Sequence, residues 1–267
     1  MKKMLSEEFD RAIHDPRVWV VLLVTVIFFG YQYRHIQISV WIPLGYSFAD
    51  LWYFIYSKSY YIYFIPLAAA LPFADSMVVD RTQDYLRYLV IRSSYRDYLS
   101  AKFLINALTG FCTIAIPLFI LYVFTNIIAP RSTYVPNTWQ PNIGGRPEDI
   151  WIPLFQSNPD LFILIVIFLA GWVGAVYATL GLSASLLYRN RYLALGTPFV
   201  IFVLTDFIVQ RTKIFGPSFS PLAAVAGVSP IQSMSLSLAG IVLNPFLVLL
   251  LAGILLVLFG KRERILQ

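Results

Sequence analysis

The sequence predicts an all-α, polytopic membrane protein with about six transmembrane helices. Two observations of composition point to this class: 58% of the 267 residues are hydrophobic and only 13% are charged, whereas soluble domains carry roughly 25% charged residues. The third observation is that the apolar residues fall in runs, several of them near the roughly 20 residues that a helix needs to cross a bilayer. We treat residues 1–267 as a single transmembrane domain.

The first element in chain order is an amphipathic helix over residues 1–15, predicted to lie at the membrane interface. Its apolar residues share one face and its charged residues the other. The apolar face holds Met1, Leu5, Phe9, Ala12 and Ile13. Two interpretations stay open: a lipid anchor alone, or an anchor whose polar face also contacts a cytoplasmic partner. Asp15 and Pro16 then predict an N-cap and the first turn of the next helix.

Six apolar runs are predicted to span the bilayer. They cover 18–33, 60–79, 101–128, 161–188, 192–210 and 238–260. Before the last run, residues 216–237 are moderately apolar but interrupted by prolines and too short to cross. That pattern favours a re-entrant segment on the outer side.

The distribution of basic residues predicts the orientation. Of the 20 Lys and Arg residues, 14 lie in the N-terminal segment, the C-terminal segment and the connections after the second and fourth runs. Because cytoplasmic loops are enriched in Lys and Arg, both termini are predicted to be cytoplasmic. The outer stretch 31–63 is rich in tyrosine and is expected to contribute to an interfacial aromatic belt.

The cytoplasmic stretch 80–102 has an unusual pattern for a connecting loop. It predicts a short helix over about 84–92, followed by a break and a new helix whose start at Ser94 and Asp97 resembles a capping box. The short helix combines apolar Leu86 and Leu89 with charged Asp84, Arg87 and Arg92. Apolar side chains flanked by charges are typical of a helix that docks in a groove on a partner. The alternative is a solvated charged turn held by lipid headgroups.

Two further sets of residues are candidates for function or packing. Asp75 and Asp206 lie within or near apolar runs, and acidic residues at membrane depth are candidates for a transport path; the alternative is a position at the headgroups. Small residues at spacings of three and four form a stripe that predicts close helix packing, within the chain or with a second copy. The stripe comprises Gly171, Gly174, Ala178 and Gly181.

Known catalytic motifs are missing from the sequence. It has no G-x-x-x-x-G-K-[ST] phosphate-binding loop, no H-E-x-x-H and no G-x-S-x-G. One cysteine and two histidines exclude an internal disulfide and a Cys/His zinc site. We therefore expect no catalytic residues, no metal and no cofactor in this chain.

The arrangement resembles the permease subunits of type-2 ABC exporters. The resemblance is carried by six spans, an N-terminal interfacial helix, a charged helix between the second and third spans, and the re-entrant segment. Locally, Asp80 and Arg81 match the acidic-Arg start of the family pattern, and 102–104 match its Lys-Phe-Leu-like entry into the third span. Ser229-Pro230 resembles the Ser-Pro of the family's outer segment. The chain departs from the pattern at 83–84, where Gly-Thr is frequent, and at 93–94, where a proline is frequent.

This resemblance implies a membrane-spanning permease that exports a small amphipathic substrate, such as a peptide, drug or lipid. The energy would come from separate cytoplasmic ATPase subunits, which would hold the ATP and Mg. It also implies pairing with a second permease, either a copy or a homologue, contact with membrane lipid but not nucleic acid, and a bacterial plasma membrane location. The implied ATPase-docking residues are Asp80, Arg81, Asp84, Leu86, Arg87, Leu89 and Arg92.

Three other functions stay open. A self-sufficient secondary transporter or channel would require ionisable residues or broken helices at membrane depth. A membrane enzyme or maturation factor would require clustered catalytic side chains. A peptide-binding immunity or sensor protein would use the same fold without moving a substrate.

Overall fold

The computed structural model describes residues 2–39, 47–83, 95–129, 131, 151–187, 190–212, 220–221 and 245–257. Those residues form helices and turns, with no strand among them. The helices are α1 (Lys2–His14), α2 (Pro16–Ser39), α3 (Phe48–Lys58), α4 (Tyr61–Ala70), α5 (Ser76–Thr82), α6 (Tyr95–Ile128), α7 (Ile152–Ser157), α8 (Pro159–Leu187), α9 (Arg191–Thr212) and α10 (Pro245–Val257). The all-α prediction is confirmed for this part of the chain. The predicted helix at 84–92 and nearly all of the segment 216–237 lie outside it.

Four helices, α2, α6, α8 and α9, are long and apolar enough to cross a membrane. This indicates a membrane protein. Two further apolar helices, α4 and α10, are shorter. Within the described residues the structure thus supports four of the six predicted spans.

The predicted second span, 60–79, is divided into α4 and α5 by a turn over 71–75. Pro72 explains the position of the turn, because it has no N–H to donate to the carbonyl of Ala68 and its ring clashes with that carbonyl. Asp75 lies at the end of the turn, immediately before α5. A helix that was expected to be continuous is therefore broken beside a buried carboxylate.

Helix α8 is the centre of the bundle, because most of its residues are buried, whereas few residues of α2 are. It packs most extensively on α6 and also on α4 and α9. A Cβ added to Gly174 would lie 2.7 Å from Cγ1 of Ile114, and one added to Gly110 would lie 2.5 Å from Cβ of Ala178. Three residues of the small-residue stripe, Gly171, Gly174 and Ala178, thus pack on α6 of the same chain, whereas Gly181 faces Ala74 and Pro198.

The aromatic residues of α3 lie in the core and not in an interfacial belt. Trp52, Tyr53 and Tyr56 are almost fully buried, and Trp52 Nε1 donates to the carbonyl of Leu118 on α6 at 3.2 Å. The helix begins at a capping box in which Ser47 and Asp50 exchange hydrogen bonds. The belt prediction is therefore wrong for these residues, because α6 and α8 cover the helix.

Helix α1 packs on the bundle through one side, which includes a charged residue. The predicted apolar residues Phe9 and Ile13 are 42% and 40% exposed, whereas Glu8 is buried along with Met4 and Ala12. The latter three residues are spaced by four and so lie on one side of the helix. That side faces α6, where a basic partner is available for Glu8.

Candidate functional site

A cluster of ionisable side chains lies where α1, α5 and the first turns of α6 meet, at what we call the α1 end of the bundle. The charge cluster consists of Glu8, Arg11, Asp80, Tyr98 and Lys102. All except Arg11 are at most 2% exposed. Charged side chains of this kind are almost never fully buried unless they are paired.

The four charged groups form a closed ring in which acid and base alternate. Glu8 Oε1 lies 3.1 Å from Arg11 Nη1, and Arg11 Nη2 lies 2.8 Å from Asp80 Oδ1. Asp80 Oδ2 forms a direct ion pair with Lys102 Nζ. Lys102 closes the ring on Glu8 Oε2 at 3.7 Å. The ring contains two acids and two bases, so its formal charge is zero.

Tyr98 completes the polar contacts of Asp80 and Lys102. Its hydroxyl donates to Asp80 Oδ2 at 2.6 Å and accepts from Lys102 Nζ at 3.1 Å. The ammonium of Lys102 also lies 4.9 Å from the centre of the Tyr98 ring and 5.8 Å from that of Phe73, distances at which cation–π attraction operates. Burial acts to raise the pKa of Asp80, but Lys102, Arg11 and Tyr98 outweigh it and hold that pKa below its ordinary value.

Local sequence spacing explains why these side chains converge. On α1, Glu8 and Arg11 are three residues apart, and on α6, Tyr98 and Lys102 are four apart, so each pair shares one helix face. Asp80 reaches the same place because α5 starts after the break at 71–75. Three segments that are distant in sequence thus supply one polar site.

Arg81, the next residue on α5, turns to α8 instead. Its Nη1 donates to the carbonyl oxygens of Ser185 at 3.0 Å and Leu186 at 3.4 Å. A guanidinium at the C-terminal carbonyls satisfies acceptors that have no partner within the helix and complements the helix dipole. Together, Asp80 and Arg81 connect α5 to α1, α6 and α8.

A second ion-paired group joins α2 to the break between α4 and α5. Arg17 Nη1 donates to both carboxylate oxygens of Asp75, at 2.8 and 2.9 Å, and its Nη2 donates to Asp15 Oδ2 at 2.8 Å. Asp75 is 1% exposed. No partner for Asp75 was evident from sequence patterns, and in the structure that partner is Arg17.

The other acidic candidate, Asp206, lies on α9. Its carboxylate accepts a hydrogen bond from the Ser220 hydroxyl and is partly buried. Asp206 and Asp75 belong to different polar groups, since Asp206 is hydrogen-bonded to Ser220 and Asp75 to Arg17. Their role on a transport path stays a prediction.

The predicted docking residues are divided by the structure. Asp80 and Arg81 lie on α5, where both are engaged with neighbouring helices. Asp84, Leu86, Arg87, Leu89 and Arg92 lie outside the described residues. Because Asp80 is fully buried, its contribution to docking would be to position the chain that leads to 84–92, and not to contact a partner.

The opposite end of the bundle has a smaller polar group. Tyr122 on α6 donates to Asp160 Oδ1 on α8 at 2.6 Å, and Arg131 lies 3.9 Å from the same oxygen. The Arg131 guanidinium also contacts the amide oxygen of Asn126. These contacts fix the end of α6 against the start of α8.

The geometry of the charge cluster suits a mechanical connection between helices. No group of three or more His, Cys, Asp or Glu side chains that could hold a metal occurs among the described residues. Both acids of the cluster are paired with cations. The arrangement therefore holds three helices together through buried charges.

Sequence analysis did not single out Glu8, Tyr98 or the ring that they form with Lys102. The sequence does contain a signal for Glu8. It lies four residues after Met4 and four before Ala12, where an apolar residue is expected on a buried helix face. A lone acid in such a stripe predicts a basic partner on another helix. The local pattern does not identify that basic partner, since Glu8 and Lys102 are far apart in the chain.

Comparison of the chain with protein-family models, with curated proteins and with solved structures finds no match.

Proposed function

We propose that the chain is the permease subunit of an ATP-binding cassette exporter, driven by separate ATPase subunits that dock on residues 84–92. One observation supports this proposal most directly. Asp80 and Tyr98 lie on the described helices that precede and follow the segment 84–94 in the sequence, and these two residues are hydrogen-bonded at 2.6 Å. The segment therefore starts and ends at one buried cluster.

This arrangement would let a movement of the segment act on several helices together. Asp80 belongs to α5, which continues from the broken helix α4, and Lys102 belongs to the long helix α6. A force applied at 84–92 would reach both through the same ion pair. ATP binding can bias a transport cycle only through contacts that differ between two states, and a docking segment anchored in this way provides such contacts.

For the substrate, we propose a small amphipathic molecule: a peptide, drug or lipid. An apolar groove of about 390 Å³ lies between α2 and α4, and Val24, Phe28 and Phe64 contribute to its lining. Its polar lining is small, provided by residues such as Thr25 and Tyr61. Such a groove would accept the apolar part of a substrate that enters from the bilayer.

The test is charge reversal in the docking segment. In the double variant Arg87→Glu/Arg92→Glu, we expect the chain to insert normally but substrate transport to be uncoupled from ATP hydrolysis. The matched control is Arg191→Glu, which reverses an exposed charge on another connection predicted to be cytoplasmic. Unchanged transport in the double variant would rule out the docking role.

A second candidate, a self-sufficient transporter, is favoured by one specific observation. The α4–α5 break places buried Asp75 beside interrupted helix geometry, as in transporters whose sites lie at broken helices. The bidentate pairing of Asp75 with Arg17 favours a structural role instead, so this candidate ranks second. This candidate would be established if the purified chain transports a substrate without ATP and its Asp75→Asn variant does not.

A further inference from the structure

The ring of charges divides into two neutral halves along a helix boundary. Helix α1 supplies Glu8 and Arg11, which are in contact at 3.1 Å. Helices α5 and α6 supply Asp80 and Lys102, which form their own direct ion pair. If α1 moved away as a unit, each half would keep one acid and one base. The costly outcome, a buried charge without a partner, would not occur on either side.

The apolar contact of α1 with the bundle is small. Met4 and Ala12 are the apolar side chains of α1 that are buried, with Leu5 partly buried against the same neighbours. Phe9 and Ile13 face outward and would keep their surroundings if the helix moved along the membrane surface. The described attachment of α1 to α5 and α6 thus combines three apolar side chains, Met4, Leu5 and Ala12, with the charged contacts of Glu8 and Arg11.

A buried amide lies one turn beyond the ring. Asn106 is fully buried, and neither its Oδ1 nor its Nδ2 has a hydrogen-bond partner among the described residues. Burying an amide without partners destabilises the folded state, so the group requires an explanation. Asn106 is four residues after Lys102 and hence on the same face of α6. Side chains at this spacing on one helix face can form a hydrogen bond, which makes the amide oxygen a candidate acceptor for Lys102 when Glu8 is withdrawn.

We infer that α1 is a detachable helix with two positions. In the docked position, which the structure shows, Glu8 and Arg11 complete the ring. In the released position, α1 carries Glu8 and Arg11 away as a pair, and Asn106 offers Lys102 a hydrogen-bond acceptor in place of the ion pair with Glu8. This inference concerns α1 itself and holds whether or not an ATPase drives the movement.

The experiment measures how often α1 leaves the bundle. Cys112, the single cysteine, is changed to Ala, and Met4→Cys places a buried thiol on α1. The full chain is reconstituted in lipid nanodiscs, and the rate of labelling by a hydrophilic maleimide is measured. In Glu8→Gln/Arg11→Gln, which removes the charges of the α1 half of the ring, we expect labelling to be about tenfold to a hundredfold faster, as for the loss of one charge-assisted hydrogen bond and one buried ion pair.

Asn106→Leu gives the opposite result and separates this inference from a merely structural role. The substitution removes an unpartnered amide from the docked state and the replacement acceptor from the released state. We therefore expect slower labelling of Met4→Cys in a chain that is at least as stable as its parent. The control Glu7→Gln changes an exposed acid on the same helix and should leave the rate unchanged. Labelling that Asn106→Leu leaves unchanged or accelerates, or that Glu7→Gln accelerates as much as the ring variant, would overturn the inference.

Discussion

At the scale of single residues, the main feature is the number of charges that the fold takes out of water. Asp80 and Lys102 are both 0% exposed. Transfer of a charged side chain into the protein costs several kcal/mol per ion, and partners must offset that cost. Asp80 meets Arg11, Tyr98 and Lys102, so its carboxylate is well compensated. The stability of the cluster therefore depends on the balance between its acidic and its basic side chains.

The balance can be tested with one single and one double substitution. Asp80→Asn leaves Lys102 and Arg11 with a single acid, and we expect it to destabilise the protein by roughly 3–5 kcal/mol. Asp80→Asn/Lys102→Met removes one acid and one base, so we expect it to cost less than the single variant. The measurement is the midpoint of thermal unfolding in detergent, followed by tryptophan fluorescence. Asp10→Asn, on the exposed side of α1, is the control. A double variant less stable than Asp80→Asn would contradict the charge-balance account.

Acid should weaken the same site. The pKa of Asp80 is lower in the folded protein than its ordinary value of 3.8. The unfolded chain therefore takes up the proton first as pH falls, and the stabilisation by Asp80 is complete above about pH 4 and lost as pH falls through the lower folded value. We expect the unfolding midpoint to fall between pH 6 and pH 3, and to fall less in Asp80→Asn. An equal fall in both proteins would contradict the assignment of the acid response to Asp80.

Residue patterns predicted this site only in part. The amphipathic character of α1 and the basic entry into α6 could be recognised from the sequence. The pairing of Glu8 with Lys102 could not, since it depends on how α1 lies across α6 and no local pattern fixes that direction. The small-residue positions of α8 were easier to interpret from the sequence, because a stripe at spacings of three and four predicts close helix packing whichever helix is the partner.

At the scale of the elements, the contact between α6 and α8 organises the bundle. The two helices approach so closely that Gly110 and Gly174 have no space for a side chain. Close approach of this kind lets two membrane helices gain van der Waals contact, which is a principal source of their association in lipid. We expect this pair to be the most stable unit of the fold.

Two glycines with opposite surroundings test that expectation. The added Cβ of Gly110→Ala would lie 2.5 Å from Cβ of Ala178 and 3.1 Å from the carbonyl oxygen of Gly174, neither of which is a flexible chain end. We expect a loss of roughly 1–3 kcal/mol. Gly196→Ala on α9 meets nothing within 4 Å and should be neutral or stabilise by up to about 1 kcal/mol. The measurement is the thermal unfolding midpoint of each variant in detergent. Equal midpoints would contradict the close packing of α6 on α8 as a source of stability.

The elements themselves were predicted unevenly. Long apolar runs located α8 and α9 well, because a run of that length has few other interpretations. The break between α4 and α5 was indicated by Pro72, but a proline in a membrane helix can also produce a mild kink, and neighbouring helices decide which occurs. Helix α3 was missed, although Ser47 and Asp50 carry its capping box, because its aromatic residues also fit an interfacial belt.

At the scale of the whole molecule, polar groups lie at both ends of an apolar bundle. Arg17, Asp75 and the charge cluster lie at the α1 end, whereas Tyr122 and Asp160 lie at the other. Such a division fits a protein whose middle is surrounded by lipid and whose ends meet water. Under the proposed function, the α1 end is the cytoplasmic side, on which the ATPase acts.

The most direct test of the permease proposal is co-purification. The tagged chain is extracted from its native membrane in mild detergent, and bound subunits are identified and assayed for ATP hydrolysis, alongside the Arg87→Glu/Arg92→Glu variant and the Arg191→Glu control. The proposal predicts a subunit with a phosphate-binding loop and ATPase activity, retained by the control and lost from the double variant. A chain that comes out alone, intact and folded would contradict the proposal and favour a self-sufficient transporter or a binding protein.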